Sequence, residues 1–472
     1  NASKKYLDIN KDSVTLIHPS SATEESIKQN YKNISFSGAK KEAINMTSVK
    51  EYNMPNNYRV TTINSKTNNA NIVFRITTDK TFNGKPSAEF VLDKILDEGS
   101  IFKNQEEFKT DIAKDGIESS IGTAYDTISA AITCNSDDMQ KALKSMQEVI
   151  ENPRFTNEEF EHAKAEIKEA LLNADKSAYD KLSNELYKGL QAGYSKEEIL
   201  KDLETLTIED VKTLYEYTIK NGKGELSISA PFERKPELNK ILFNTLGKFK
   251  TVTPHYTREL QDVYKPVEKT KVLTDTDFKN QAEIIEAYKF KINQNIKDRV
   301  TLELLNTILG GNPSSRLFSD LREQQKLAYH VRSNYETNNN IGLFTLKIGT
   351  TTDNKETGEQ SFDNVKKSID SFNRHIEKIK TEKVTDEELN NAKLSLKNSI
   401  LNSNNTPFGK IMSLIQGMES PYGISKENQL FDEIDKITAD DIYNAANYVF
   451  SGKPTYSILA TEDTINANKE YF

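Results

Sequence analysis

The chain has 472 residues, 36% hydrophobic and 28% charged, with 19 Gly, 12 Pro and a single Cys. That balance excludes fibrous and disordered chains and leaves room for a sizeable core in roughly three domains' worth of sequence. The formal net charge is -8 with both signs interspersed and no basic stripe, which argues against a nucleic-acid partner. No run of about 18 apolar residues is present, so no membrane-spanning helix is expected. Cys134 rules out an internal disulfide. It continues the alternation Ile128, Ala130, Ile132, so a buried strand thiol is expected.

In chain order, the first signal is Tyr6 to Lys11 followed by Val14 to Pro19, which lines up without a gap on Tyr448 to Ala460. Residues 1–45 are therefore expected to hold the closing helix end and strand of a preceding unit, plus a linker. An extended segment is expected near Asn71–Thr78. Ala88, Val91, Leu92, Ile95 and Leu96 then follow the i, i+3, i+4, i+7, i+8 spacing of a helix with one buried face, stopped by Gly99. Thr156-Asn157-Glu158-Glu159 reads as a capping box before Phe160, Ala163, Ile167 and Leu171. Thr207-Ile208-Glu209-Asp210 caps a further helix ending near Tyr217, and Glu225–Ala230 reads as a strand. These elements make a first α+β unit over 46–254. The polar stretch 255–275 reads as a linker.

The second half repeats the first. Glu283–Ile292 is extended. Thr301, Leu304, Leu305, Ile308 and Leu309 repeat the helix, stopped by Gly310-Gly311. Thr385-Asp386-Glu387-Glu388 repeats the capping box before Leu389, Ala392, Leu396 and Ile400. Thr438-Ala439-Asp440-Asp441 caps a helix through Tyr448, and Tyr456–Ala460 closes as a strand. Three matches in the same order point to a duplication, with the second α+β unit at 276–472.

Chemistry-bearing residues are sparse. Of the five histidines, His18, His162, His255, His330 and His375, no two stand three or four residues apart, so none makes a helical metal pair. Each is expected at the surface. There is no G-x-S-x-G elbow, no Gly-rich phosphate loop and no C-x-x-C. The many carboxylates on capped helix faces read as solvated surface.

One segment stands apart: Ser314-Ser315-Arg316-Leu317-Phe318, then Leu321-Arg322-Glu323, then Leu327-Ala328-Tyr329. After the glycine stop, a short helix through Leu317, Phe318 and Leu321 leads at Lys326 into a strand, Tyr329–Tyr335. This stretch resembles the arginine/tyrosine segment of insulinase/pitrilysin-type zinc metallopeptidases, a family that includes processing peptidases. The resemblance implies tandem homologous α+β units, each a mostly antiparallel sheet packed by helices on one side. It also implies that Arg322 and Tyr329 contact the substrate backbone near the scissile bond. Both are donors suited to a carbonyl oxygen that gains charge. The bland reading pairs Arg322 with a helix carboxylate and buries Tyr329. Arg316 is expected to hold the loop together.

Aligned on Gly99, the family's H-x-x-E-H zinc motif falls on Phe90, Asp93 and Lys94. Both histidine positions are lost, and a lysine ammonium repels zinc. The third family ligand, a glutamate on the later capped helix, matches Glu166 or Glu169. The resemblance therefore implies a half without metal ligands or zinc chemistry of its own, facing a zinc-bearing catalytic half and closing the peptide chamber. That partner half is expected to carry the zinc and its general base. Three arrangements stay open: the C-terminal half of one longer peptidase, a separate non-catalytic subunit, or a structural or peptide-binding relative without proteolytic role. A bacterial cell-envelope or secreted setting is the family expectation.

Overall fold

The computed structural model describes residues 42–472 except 79–83, 125, 255–262, 278–280, 294, 339, 353–361 and 470–472. Six strands form the first sheet: β1 (Val49–Asn53), β2 (Arg59–Asn64), β3 (Asn69–Thr77), β4 (Glu118–Ala124), β5 (Thr127–Asn135) and β6 (Lys223–Ala230). Their order is β1-β2-β6-β3-β5-β4. Only β2 and β6 pair in parallel.

One face of this sheet carries Val60, Ile72, Phe74, Ile128, Ile132 and Cys134, which share a core with α1 (Ala88–Asp97), α2 (Gln105–Ala113), α3 (Met139–Glu151), α4 (Asn157–Asn173) and further helices. The chain continues through α5 (Ala178–Leu186), α6 (Lys196–Thr205), α7 (Ile208–Asn221) and, after β6, α8 (Glu237–Leu246). Cys134 is buried in β5, and desolvation pushes its thiol up to about 12, so it is inert filler as the alternation implied.

The second sheet holds β7 (Lys271–Thr276), β8 (Gln281–Lys291), β9 (Ala328–Asn338), β10 (Ile341–Thr351) and β11 (Thr455–Ala460), ordered β9-β10-β8-β11-β7. Again one pair, β11 with β7, is parallel. The helices of this half of the chain are α9 (Ile296–Leu309), α10 (Asp363–Thr381), α11 (Asp386–Ser403), α12 (Pro407–Glu419), α13 (Lys426–Ile434), α14 (Ala439–Val449) and α15 (Glu462–Ala467). Lys271–Thr276, all but its last residue within the stretch 255–275 read as linker, is an edge strand. Tyr6 to Pro19 lie outside the described residues.

Each sheet has a second face, and a helix from the other half of the chain covers it. Leu182 and Leu186 of α5 pack on Ile285, Ala287, Leu343 and Leu459 of the second sheet. Ile411, Leu414, Ile415 and Met418 of α12 pack on Ile63 and Val73 of the first. Full burial of such side chains contributes roughly 1.5–3 kcal/mol each. This exchange explains why β6 is buried at every position, since central strands with both faces covered do not alternate. The helices on one side that the resemblance implies are thus joined by one exchanged helix on the other, which a nine-residue α5 carries no long period to announce.

The two capping boxes at Thr156 and Thr385 form only by half. Each threonine hydroxyl accepts from the N3 amide at 3.2 Å. The reciprocal glutamate arms are drawn away, Glu159 to Arg154 at 2.6 Å and Glu388 to Arg316 at 2.7 and 2.8 Å. A charged donor outcompetes a neutral backbone amide for a carboxylate. The boxes at Thr207 and Thr438 are complete, each with an aspartate as the reciprocal partner.

Candidate functional site

The arginine/tyrosine segment begins where α9 ends at Gly310. A Cβ there would meet the Ser333 backbone nitrogen at 2.2 Å, so only glycine lets the helix end abut β9. Arg316, bidentate to Glu388, ties the following loop to α11, as expected. Phe318–Gln324 then form a short π-helix, with the Gln325 amide reaching the Asp320 carbonyl at 2.9 Å. Such wide turns are rare and concentrate at functional sites. The Asp320 carboxylate secures it from below. It accepts from Gln325 Nε2 at 3.0 Å, pairs with Arg374, and stands 2.7 Å from His375 Nε2.

Lys326, with φ 55, reverses the chain into β9. The β9–β10 register slips between Ala328 and His330, so Tyr329 is the extra residue of a β-bulge. Its carbonyl is therefore released from the ladder and accepts from Arg322 Nη1 at 3.1 Å. The Arg322 guanidinium also lies over the Phe318 ring, 5.1 Å from its centroid. Tyr329 is 72% exposed. The bland alternative fails on both residues: Arg322 has no carboxylate partner among the described residues, and the phenol stands in solvent. The structure brings Arg322 of the π-helix against Tyr329 at the start of the edge strand β9.

His375 was expected at the surface and is half-buried against Asp320 instead. Burial holds its pKa below the usual value, despite the hydrogen bond to the Asp320 carboxylate, which works the other way. Asp320, Gln325 and His375 escaped sequence reading because a five-residue return fits no helix template, and His375 lies far along the chain. His162 is exposed and His330 lies at the surface near Lys347. His18 and His255 fall outside the described residues.

On α1, Phe90 is 39% exposed. Asp93 Oδ1 accepts from the Thr123 amide at 2.8 Å and lies so close to Gly122 that a Cβ would meet it at 2.3 Å. Lys94 Nζ stands 3.0 Å from Glu166 Oε2 on α4. The hydrogen bond from Lys94 holds the Glu166 carboxyl below its usual range, and the same contact raises Lys94. Glu169 does not join the group. These residues do not fit a zinc ion. Phe90 offers no ligand, Asp93 is committed to the β4 backbone, and an ammonium already occupies the Glu166 carboxylate. Among the described residues, no group of three His, Cys, Asp or Glu side chains is placed to hold a metal.

Residues 88–198 match the family model described as insulinase (peptidase family M16), and residues 205–396 match that of the peptidase M16 inactive domain. The chain belongs to the insulinase (M16) family. Among insulinase-family relatives, an uncharacterized zinc protease of Rickettsia felis is 26% identical over 70% of this chain and 76% of its own length. A non-peptidase homolog of Helicobacter pylori is 24% identical over 74% and 78%. A probable inactive metalloprotease of Bacillus subtilis is 21% identical over 69% and 74%. In fold, the chain is similar to a peptidase M16 inactive domain from Pseudomonas fluorescens, with TM-score 0.74 and 18% identity, covering 88% of this chain and 98% of that one. This insulinase-family chain is an inactive-type homologue with an α+β fold. No helix among the described residues is long and apolar enough to cross a membrane.

Proposed function

We propose that this chain is the non-catalytic half of an insulinase-family zinc endopeptidase, closing the peptide chamber and gripping the substrate backbone through Arg322 and Tyr329. The observation that carries this reading is the bulge at Tyr329, which exposes the phenol while its carbonyl steers the guanidinium. One Arg322 N–H is used internally, and an arginine has five. The remaining donors and the phenol can meet a peptide carbonyl oxygen and hold it as it gains charge. The replacement of both histidine positions by Phe90 and Lys94 supports assigning zinc to a partner half, in the same polypeptide or in a second subunit.

A peptide-binding role without proteolysis is the second reading, favoured by the inactive and non-peptidase names of two relatives. Mixing the purified chain with a zinc-bearing half of the same family and measuring peptide cleavage separates them. The proposal expects cleavage by the mixture and none by this chain alone. A zinc half whose turnover is indifferent to this chain contradicts it.

A further inference from the structure

A cavity of about 670 Å³ opens where α5 ends against the second sheet and the segment after residue 262 passes over it. Its floor is apolar, with Leu186, Val267 and Ile341. Its rim carries five lysines, Lys188, Lys265, Lys269, Lys271 and Lys289, against two carboxylates, Glu185 and Glu268.

Two of these lysines are spoken for. Lys271 pairs with Glu185, and Lys289 donates to the Leu186 carbonyl at 2.7 Å. Lys188, Lys265 and Lys269 have no carboxylate within ion-pair distance among the described residues. By count the rim is positive, and Lys289 is held below the usual lysine range, first by burial and then by Lys265. Glu185 works in the opposite direction and Lys271 in the same one.

We infer that this cavity binds an acidic peptide segment, one that alternates carboxylate and apolar side chains. The inference rests on the peptide-binding reading above and extends it to a substrate class. Lysines around an apolar floor suit carboxylates flanked by hydrocarbon. The rim has no arginine fork of the kind that favours bidentate phosphate recognition. Charge complementarity of this kind governs which partner binds and how fast, and weakens with salt.

The test is fluorescence anisotropy on the whole chain with a labelled Glu-Leu alternating decapeptide and its Gln-Leu analogue. The wild type should bind the acidic peptide roughly tenfold more tightly at low salt. Lys265→Gln with Lys269→Gln should abolish that preference and leave the Gln-Leu affinity unchanged. Both positions are exposed, so the fold should survive, which circular dichroism verifies. Equal affinity for the two peptides, or a preference that survives the double substitution, overturns the inference. Arg322→Ala is the separate arm. If it leaves both affinities untouched while the lysine variant loses the preference, the cavity stands and the grip assigned to Arg322 falls.

Discussion

Glu283 and Lys289 stand on one face of β8 and hold opposite ends of the same helix. The Glu283 carboxylate accepts from the Ala178 amide at the start of α5 at 2.7 Å, and Lys289 donates to the Leu186 carbonyl at its end, also at 2.7 Å. A helix exposes unpaired amides and positive potential at its start, unpaired carbonyls and negative potential at its end, so each charge meets its complement. The first sheet uses the same device on α12, where Arg59 donates to the Met418 carbonyl at 3.0 Å. The exchanged helices are thereby pinned by charge as well as by apolar packing.

Glu283 also pairs with Lys347 and accepts from the Ser177 hydroxyl at 3.3 Å, so its loss strips three partners. Glu283→Ala should destabilise the chain by about 1–3 kcal/mol in urea denaturation. Burial raises the Glu283 pKa, but Lys347 and the Ala178 amide outweigh it, and the net shift is downward. A depressed carboxyl stabilises above its unfolded value of about 4.3 and loses that contribution as pH falls through the folded value. The penalty of Glu283→Ala should therefore shrink below about pH 4.

Glu286 behaves in the opposite sense. It is fully buried in the second core, accepts from the Tyr288 hydroxyl at 2.6 Å, and burial raises its carboxyl to about 7. The folded state keeps this proton longer than the unfolded chain does. Stability should therefore fall as pH rises from about 4.3 toward 7, by on the order of 3 kcal/mol at most. Glu286→Gln is neutral and similar in shape. Melting temperatures from pH 5 to 8 should show a flatter profile for the variant and a higher value than wild type at pH 8.

Lys94 and Glu166 are each 43% exposed, so Lys94→Ala should cost less than about 1 kcal/mol in thermal unfolding. If Phe90, Asp93 and Lys94 are the remains of a metal motif, substituting them together by His, Glu and His should create zinc affinity. Isothermal titration should then show one ion per chain, lost again on Glu166→Gln. Absence of zinc binding by a folded triple variant would remove the assignment.

Asp320 holds the π-helix from three directions, and its variant should act through Arg322. Asp320→Ala should weaken peptide binding severalfold. It should add little in an Arg322→Ala background, the non-additivity expected of residues that act as one unit. Full additivity in the double-mutant cycle would make Asp320 structural only.

The duplicated helices and strands were legible because long amphipathic periods and threonine caps are local signals. Ala88 to Leu96 and Thr301 to Leu309 declared their buried faces in the sequence alone. The exchange of α5 and α12 was not legible, since α5 is short and its apolar side is satisfied by Ile285 and Leu343, far along the chain in the second half. Arg322 and Tyr329 could be named from spacing and resemblance. The slip in register that turns Tyr329 outward could not, because a bulge depends on how two strands pair. The diversion of Glu159 and Glu388 to arginines likewise arises from side chains competing in three dimensions.

The central claim is that Arg322 and Tyr329 act on the substrate of a zinc-bearing partner. It is tested most directly by kcat/KM of the reconstituted peptidase with wild-type chain, Arg322→Ala and Tyr329→Phe. The arginine variant should lose about 10²-fold or more in kcat, with the zinc content and assembly of the complex unchanged. The tyrosine variant should show a smaller loss in the same direction. Turnover equal to wild type in both variants would contradict it.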